Sequence, residues 1–284
     1  MKAIVIDNYG GKEQLKERER DLPVISDNQV LVEVHATSVN PIDWKLREGY
    51  LKEMLPFEFP IILGWDAAGI VTEVGKNVSN FKAGDRVFTR PATINQGTYA
   101  EFVPVDQELL AKMPKDMTYE EAAAIPLAGL TAWQCLVDFG EIKKGDKVLI
   151  HAGAGGVGNF AIQLANHFGA YVATTTSKEN KEFVKSLGAN QVIDYKEEEF
   201  NEILEDYDIV LDAIGRDVLE KSYQVLKEGG KLVSIAGQPS DKDAEKFGVK
   251  AGFLWLEPKG EQLQKLADLY VAGELKPVIA KLLN

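Results

Sequence analysis

The stretch VLIHAGAGGVGNFAIQLA, residues 148–165, decides the fold. An apolar run closing at His151 leads into Gly153, Gly155 and Gly158, spaced G-x-G-x-x-G, and an apolar helical pattern follows at once. In a strand-turn-helix setting Gly153 takes the tight turn and Gly155 lets backbone N–H groups approach a pyrophosphate. Gly158 lets the helix pack close to the strand, while the helix N-terminus supplies partial positive charge. Downstream, the strand readings Lys147 to His151, Tyr171 to Thr176, Gln191 to Asp194, Ile209 to Ala213 and Gly230 to Ala236 alternate with helical ones. The helices read over Val157 to Phe168, Lys181 to Leu187 and Val218 to Val225. Strands joined by helices of about ten residues predict right-handed βαβ crossovers and a doubly wound parallel sheet of the nucleotide-binding kind.

The second strand of such a sheet usually ends on Asp or Glu when the ribose 2'-hydroxyl is to be bound. Here it ends Thr174-Thr175-Thr176-Ser177-Lys178. Hydroxyls and an ammonium suit a 2'-phosphate that a carboxylate would repel, so NADPH is expected over NADH, with Glu179 the one residue against it. The bland alternative is a solvated loop that Ser177 or Asn180 merely caps.

Upstream of residue 122 the pattern changes to short strands between Gly, Pro and Asp turns, at Ala3 to Asp7, Val30 to Ala36, Ala67 to Val74, Arg86 to Thr89 and Tyr99 to Pro104. The segment EEAAAIPLAGLTAWQCLVDFG (120–140) reads as two short helices broken at Pro126 and Gly129, a bend able to line a cleft. Lys259 to Ala272 reads as an amphipathic helix and Lys276 to Leu283 as a strand or short helix. Expected domains are therefore 1–122, mainly β, 123–255, α/β, and a return segment over 256–284.

The whole composition is that of a folded globular chain: 284 residues, 45% hydrophobic and 27% charged. Its formal charge of -12 repels nucleic acid and anionic membranes, so neither is expected as a partner. One cysteine, Cys135, makes no internal disulfide, and with three scattered histidines it assembles no structural zinc site. The N-terminus runs straight into a strand pattern rather than an export signal, so a reducing, cytoplasmic setting is expected.

Four stretches, NPIDWKLREG (40–49), GWDAAGIVTEVGKNVSNFKAGDRV (64–87), AAAIPLAGLTAW (122–133) and GDKVLIHAGAGGVGNFAIQLA (145–165), together resemble the medium-chain dehydrogenase/reductase superfamily. The resemblance is to its zinc-free quinone oxidoreductase branch and the similar alkenal (enone) reductases. It implies a GroES-like catalytic domain followed by a Rossmann domain. The block opening Gly-His-Glu in zinc alcohol dehydrogenases opens Gly64-Trp65-Asp66 here, the first zinc cysteine matches Asn40, and the third ligand matches Leu127. No catalytic zinc is expected, which disfavours an alcohol dehydrogenase and suits reduction of a quinone or an activated C=C.

Position by position, the resemblance places Asn40 and Asp43 by the nicotinamide and substrate, and Thr131 in the nicotinamide region. Gly155, Gly156 and Val157 fall at the pyrophosphate, Ser177, Lys178 and Tyr195 at the 2'-phosphate, and Ser234, Ala236 and Gly237 at the far side of the ribose. Some relatives carry a tyrosine where this chain has Lys45, so the proton is expected from water or from a nearby side chain such as Lys45 or Tyr50, with loop packing the alternative for Tyr50. Asn40 is also a candidate for holding a substrate carbonyl, and Asp43 for orienting water or substrate, against a plain helix-start role. Relatives continue through a further helix and strand, which implies a shortened lobe or a truncated chain and a more open cleft. The resemblance further implies a homodimer through strand Lys231 to Ala236 and FLWLEP (253–258).

Other residues read more plainly. His151 is expected to be satisfied by backbone rather than catalytic, and His35 and His167 are given no role. Cys135 is expected as a buried small hydrophobe, Trp65 as a cleft residue and Trp133 as core. Lys16 to Asp21 and Glu197 to Glu199 read as solvated faces. A nicotinamide-nucleotide-binding sensor with little catalysis is the alternative to an enzyme.

Overall fold

The computed structural model describes residues 1–283, leaving the last residue of the expected 256–284 segment outside the described residues. The chain divides into two compact units: residues 1–127 with 258–272 and 277–283, and residues 128–257 with 273–276.

In the first unit the Val-rich alternation of QVLVEVHA makes β3 (Gln29–Ala36), which pairs antiparallel with β5 (Ala67–Val74) and β7 (Phe102–Asp106). With β6 (Arg86–Thr89) and β8 (Leu110–Lys112) they form a five-stranded sheet ordered β7-β3-β5-β6-β8. Val30, Val32, Val71, Val87, Val103 and Val105 bury its core face. A Cβ on Gly69 would lie 1.9 Å from the Glu33 carbonyl oxygen, so the glycine is set by the close approach of β5 to β3. A second antiparallel sheet, β2-β1-β4, consists of β1 (Lys2–Ile6), β2 (Lys16–Glu19) and β4 (Ile61–Ile62). The run from Lys16 is thus exposed, as its charges require, yet its first four residues form an edge strand protected by those charges.

Helix α1 (Pro41–Arg47) starts on Pro41 at its first position, with Asn40 as N-cap and the Asp43 carboxylate accepting the Asn40 backbone N–H at 2.6 Å. Thr118 and Glu121 make a reciprocal capping box at the start of α2 (Tyr119–Ala123). Trp65 is not a cleft residue. It is fully buried among Ile6, Leu46, Ile61 and Leu63, because the extended segment between β4 and β5 turns it into the core of this unit.

The bend at Pro126 is present, but Gly129 does not break the chain: α3 runs Pro126–Trp133 and continues into a π-turn over Gln134–Phe139. The second unit then alternates β9 (Lys147–Ile150), α4 (Gly156–His167), β10 (Tyr171–Thr176), α5 (Lys181–Ser186), β11 (Gln191–Asp194), α6 (Phe200–Ile203) and β12 (Tyr207–Asp212). It ends with α7 (Arg216–Ser222), β13 (Leu226–Ser234), α8 (Asp241–Phe247) and β14 (Lys250–Phe253). All six strands are parallel in the order β11-β10-β9-β12-β13-β14, the 3-2-1-4-5-6 arrangement of a Rossmann domain. The central strands β9 and β12 read as continuous apolar runs because helices cover both faces.

Three expectations are corrected here. Strand β13 is not the sheet edge, since β14 hydrogen-bonds to it and takes that place. The strand expected at Tyr99 to Pro104 starts at Phe102, because Tyr99 instead exchanges backbone bonds with Leu63 and Ile4. Residues 276–283 form neither helix nor strand; residues 273–276 pack with the second unit, where Lys276 backbone groups bond the Gln163 side chain. The last helix, α9 (Gly260–Val271), returns to the first unit beside β8, and Tyr270 donates to Glu121 at 3.2 Å.

Candidate active site

At the carboxyl end of β9, Gly153 and Gly158 are required by the protein itself. A Cβ on Gly153 would sit 2.0 Å from Thr174 Oγ1, and one on Gly158 2.3 Å from the Ala152 carbonyl oxygen. Gly155 and Gly156 differ: both are exposed, a Cβ on Gly155 meets only Ala152 O at 3.2 Å, and one on Gly156 meets only Ala128 Cβ at 4.0 Å. Nothing in the fold needs a missing side chain at Gly156, so the space is left for something that approaches the backbone. The first amides of α4, at Gly156, Val157 and Gly158, have no acceptor within the helix and carry its positive end. This turn fits a pyrophosphate.

Beyond β10 lies a surface pocket of about 370 Å³ lined by Thr176, Ser177, Lys178, Lys181, Val192, Asp194 and Glu197. Neither Ser177 nor Asn180 makes a side-chain cap. Residues 178–180 form a 3-10 turn in which positions three apart eclipse, so Lys178 and Lys181 line the same pocket. Lys181 was not singled out from the sequence. Tyr195 is exposed beyond β11, its N–H donating to the Thr176 carbonyl at 3.3 Å.

The opposite wall of the same strand ends is fixed by Asp212, a residue the sequence reading passed over. Its carboxylate accepts from the backbone N–H of Ile214 and Gly215 and from Ser234 Oγ at 2.7 Å. Ser234 Oγ in turn accepts from the N–H of Ala236 and Gly237, each at 3.1 Å. The Ser234 hydroxyl is therefore buried and shapes the 234–237 loop, whose backbone is the part available to a ligand. His151 is satisfied, although by hydroxyls rather than backbone: Nδ1 faces Thr175 Oγ1 at 3.1 Å and Nε2 faces Ser222 Oγ at 3.0 Å. Burial pulls its pKa down to about 4, so the ring is neutral. Thr131 is buried on α3.

In the first unit Asn40 ties together two buried carboxylates. Its backbone N–H donates to Asp43 Oδ2 at 2.6 Å, and its Nδ2 donates to Asp66 Oδ2 at 2.6 Å and to Ser38 Oγ at 3.1 Å. Both Asn40 amide hydrogens thus have protein acceptors, leaving none to hold a substrate carbonyl. Asp66 also accepts from Ser38 Oγ and, through Oδ1, from Leu127 N at 2.7 Å. The residues at the three positions where zinc relatives carry ligands, Asn40, Trp65 and Leu127, are knit by hydrogen bonds to Asp66 or buried in apolar packing. Among the described residues no group of three or more His, Cys, Asp or Glu side chains is placed to share a metal ion.

Burial pushes the Asp43 pKa up to about 6, against the Asn40 N–H and the Tyr99 hydroxyl, which donates to Oδ2 at 2.9 Å. Burial pushes Asp66 to about 7, with Asp43 adding to the rise. Arg90, equally buried, donates to Pro91 O and Thr93 Oγ1 and is pulled down to about 10 by burial, the two carboxylates opposing that shift. Lys45 and Tyr50 stand apart from this cluster. Both meet at Trp44, the Lys45 ammonium 6.0 Å from its ring centroid and the Tyr50 ring edge-on at 5.9 Å, and Tyr50 is 70% exposed. Cys135 is fully buried and its thiol is pushed far up by burial, as an inert core residue requires.

Residues 26–115 match the family described as alcohol dehydrogenase GroES-like domain, and 156–257 the one described as zinc-binding dehydrogenase. An Arabidopsis thaliana NADPH-dependent alkenal/one oxidoreductase is 39% identical over 98% of this chain and 72% of its own length. The quinone oxidoreductase structure from Coxiella burnetii superposes with a TM-score of 0.91 at 39% identity, covering 99% of this chain and 90% of that one. An Escherichia coli quinone oxidoreductase solved in complex with NADPH has a TM-score of 0.88 at 30% identity, covering 99% and 91%. Two family matches in the order of the two units, together with full-length likeness at this identity, place the chain: it belongs to the medium-chain dehydrogenase/reductase superfamily, in its branch of quinone oxidoreductases and alkenal reductases.

Proposed function

We propose that this protein is an NADPH-dependent oxidoreductase that passes a hydride to a quinone or to the C=C of an α,β-unsaturated carbonyl, without zinc. The observation that carries the reading is the open turn at Gly155 and Gly156 on the same strand ends as a pocket with two lysines. The α4 amides would hold the pyrophosphate, Lys178, Lys181 and Ser177 the 2'-phosphate, and the 234–237 backbone the ribose side. The cofactor supplies a two-electron hydride, so the chain's own task is to orient the acceptor and supply a proton. The reading accords with relatives named for NADPH and for alkenal or quinone substrates.

The test is to titrate the protein with NADPH and NADH, following nucleotide fluorescence, and to repeat it with Lys178→Glu. NADPH is expected to bind at least about tenfold tighter than NADH, and the preference to vanish in the variant, since a carboxylate repels the 2'-phosphate. Equal affinity for both nucleotides contradicts the cofactor assignment. Turnover with NADPH across a panel of quinones and enones, unchanged after dialysis against a chelator, is expected next. Tight binding without any turnover favours the sensor reading instead.

The reading also carries a cytoplasmic setting, supported by a single reduced and buried cysteine. It carries a homodimer too, supported by the sheet edge at β14 and the part-exposed Trp255 that follows it. A sedimentation mass of one chain counts against the dimer.

A further inference from the structure

Glu179, the one residue at the end of β10 that speaks against a 2'-phosphate, stands at the edge of the pocket beyond that strand. The Ser177 hydroxyl, which lines the pocket, donates to the Glu179 carboxylate, and the Glu179 backbone N–H bonds the same group. The ammonium charges of Lys196 and Lys178 act on it through space. A hydroxyl has one proton to give, so while Ser177 serves Glu179 it has none for a ligand; its oxygen accepts from Asn180 Nδ2 at 3.4 Å. The carboxylate thus holds what a phosphate oxygen uses: a hydroxyl, a backbone N–H and nearby cations. Glu179 is exposed in the 3-10 turn over residues 178–180, and its side chain is free to swing away. Lys178 and Lys181 form no ion pair among the described residues, which leaves both charges open to the pocket. Asp194 and Glu197 line the pocket too, but neither engages Ser177 or a lysine ammonium; Asp194 Oδ1 instead accepts the Lys196 backbone N–H at 3.1 Å and ties its own turn.

We propose that Glu179 is a tethered competitor of the cofactor's 2'-phosphate: its carboxylate holds the Ser177 hydroxyl among the cations that the phosphate needs, until NADPH displaces it. This inference rests on the NADPH reading above. Displacement frees Ser177 to donate to the phosphate beside Lys178 and Lys181. A phosphate monoester carries about -1.5 to -2 charges at neutral pH against one on the carboxylate, so the phosphate wins the exchange and the carboxylate narrows its margin. A nucleotide with a plain 2'-hydroxyl brings no charge to that spot and leaves Glu179 where it is. Glu179 therefore works against NADPH alone, and it sets how far the two nucleotides differ in affinity.

The test is calorimetric titration of the full chain, at low and at high salt, with NADPH, NADH and adenosine 2'-phosphate, a probe that carries the 2'-phosphate without the pyrophosphate or the nicotinamide. Glu179→Gln is expected to tighten NADPH and adenosine 2'-phosphate by about threefold to tenfold at low salt and by less at high salt, and to leave NADH within about twofold. Glu245→Gln removes the same charge from an exposed position on α8, between β13 and β14 at the other end of the sheet, and is expected to leave all three affinities within about twofold. Unchanged affinity of Glu179→Gln for NADPH and adenosine 2'-phosphate overturns the competitor. So does a gain that NADH shares or that Glu245→Gln reproduces, since net charge then explains it. A variant that loses NADH and keeps its NADPH affinity also overturns it, because Glu179 then serves as an acceptor for the ribose 2'-hydroxyl. A wild type that binds NADPH no tighter than NADH and does not bind adenosine 2'-phosphate defeats the NADPH reading itself, and the competitor with it.

Discussion

Gly156→Val is expected to weaken NADPH binding by at least about a hundredfold while leaving the melting temperature within about 2 °C of wild type, whereas Gly158→Ala is expected to do the reverse in kind. The difference follows from what a new Cβ meets. At Gly156, the first residue of α4, the nearest atom is Ala128 Cβ at 4.0 Å, and no left-handed backbone angle forbids a side chain. Valine there costs no helix propensity relative to glycine and projects into the space that the fold leaves open above the helix amides. A pyrophosphate needs that space, because its oxygens must reach backbone N–H groups directly. At Gly158 even one methyl lies 2.3 Å from the Ala152 carbonyl oxygen and 2.7 Å from Gly153 Cα, both backbone atoms that cannot swing away. The helix must shift off the strand, at about 1–3 kcal/mol, or several degrees of melting temperature in a chain of this size. Thermal unfolding and fluorescence titration of the two variants separate the outcomes. A Gly156→Val protein that melts normally and still binds NADPH tightly would show that the turn faces nothing.

The contrast between those glycines also marks how far the sequence could be read. The parallel sheet was legible because β9 and β12 carry short apolar runs, β10 is rich in β-branched residues, and each lies beside a helix-period segment. Strand β14 was not, because KAGF has one large apolar side chain and a glycine; its pairing comes from β13 offering a free edge, which is a tertiary fact. Lys178 was legible from the strand end, but Lys181 needed the 3-10 turn that brings the two into register. The cluster around Asn40 was half legible. Asn40 and Asp43 stand three apart at a helix start, a local pattern, whereas Asp66 joins them from 26 residues away and Leu127 from 61 residues beyond that. Bonds of that span depend on how the loops around α1, β5 and α3 fold back, and no periodicity encodes it. Asp66 had a signal that pointed elsewhere: it lies in the block where zinc relatives carry Gly-His-Glu, and its carboxylate now accepts the hydrogen bonds of two of the three ligand positions.

A stability profile that rises on acidification follows from the same buried pair. An acid whose folded-state pKa lies above its unfolded value stabilises the fold fully below the unfolded pKa, and that contribution is lost as pH rises through the folded one. For Asp66, raised to about 7, and Asp43, raised to about 6, the fold binds protons that the unfolded chain, titrating near about 4, has released. His151 acts in the opposite sense: its folded pKa is pulled down to about 4, so its contribution is present above about 6.5 and is lost as pH falls toward 4. Between pH 8 and 6.5 Asp66 dominates, and stability is expected to increase by on the order of 1 kcal/mol as pH falls. Between 6.5 and 5 two carboxyls taking up protons in the fold outweigh one histidine taking one up in the unfolded chain. The rise therefore continues at up to about 1.4 kcal/mol per pH unit for one net proton. Denaturant unfolding at half-unit intervals from pH 8 to 5 checks this, with Asp66→Asn as the decisive variant. Its absolute stability is expected to be lower, because an amide cannot accept from Ser38, Asn40 and Leu127 as the carboxylate does. The slope is the discriminating quantity: the variant is expected to be flat between pH 8 and 6.5. A wild-type profile that is level or falls on acidification there would mean that Asp66 is already ionised at neutral pH, held so by its three donors and Arg90 despite its burial.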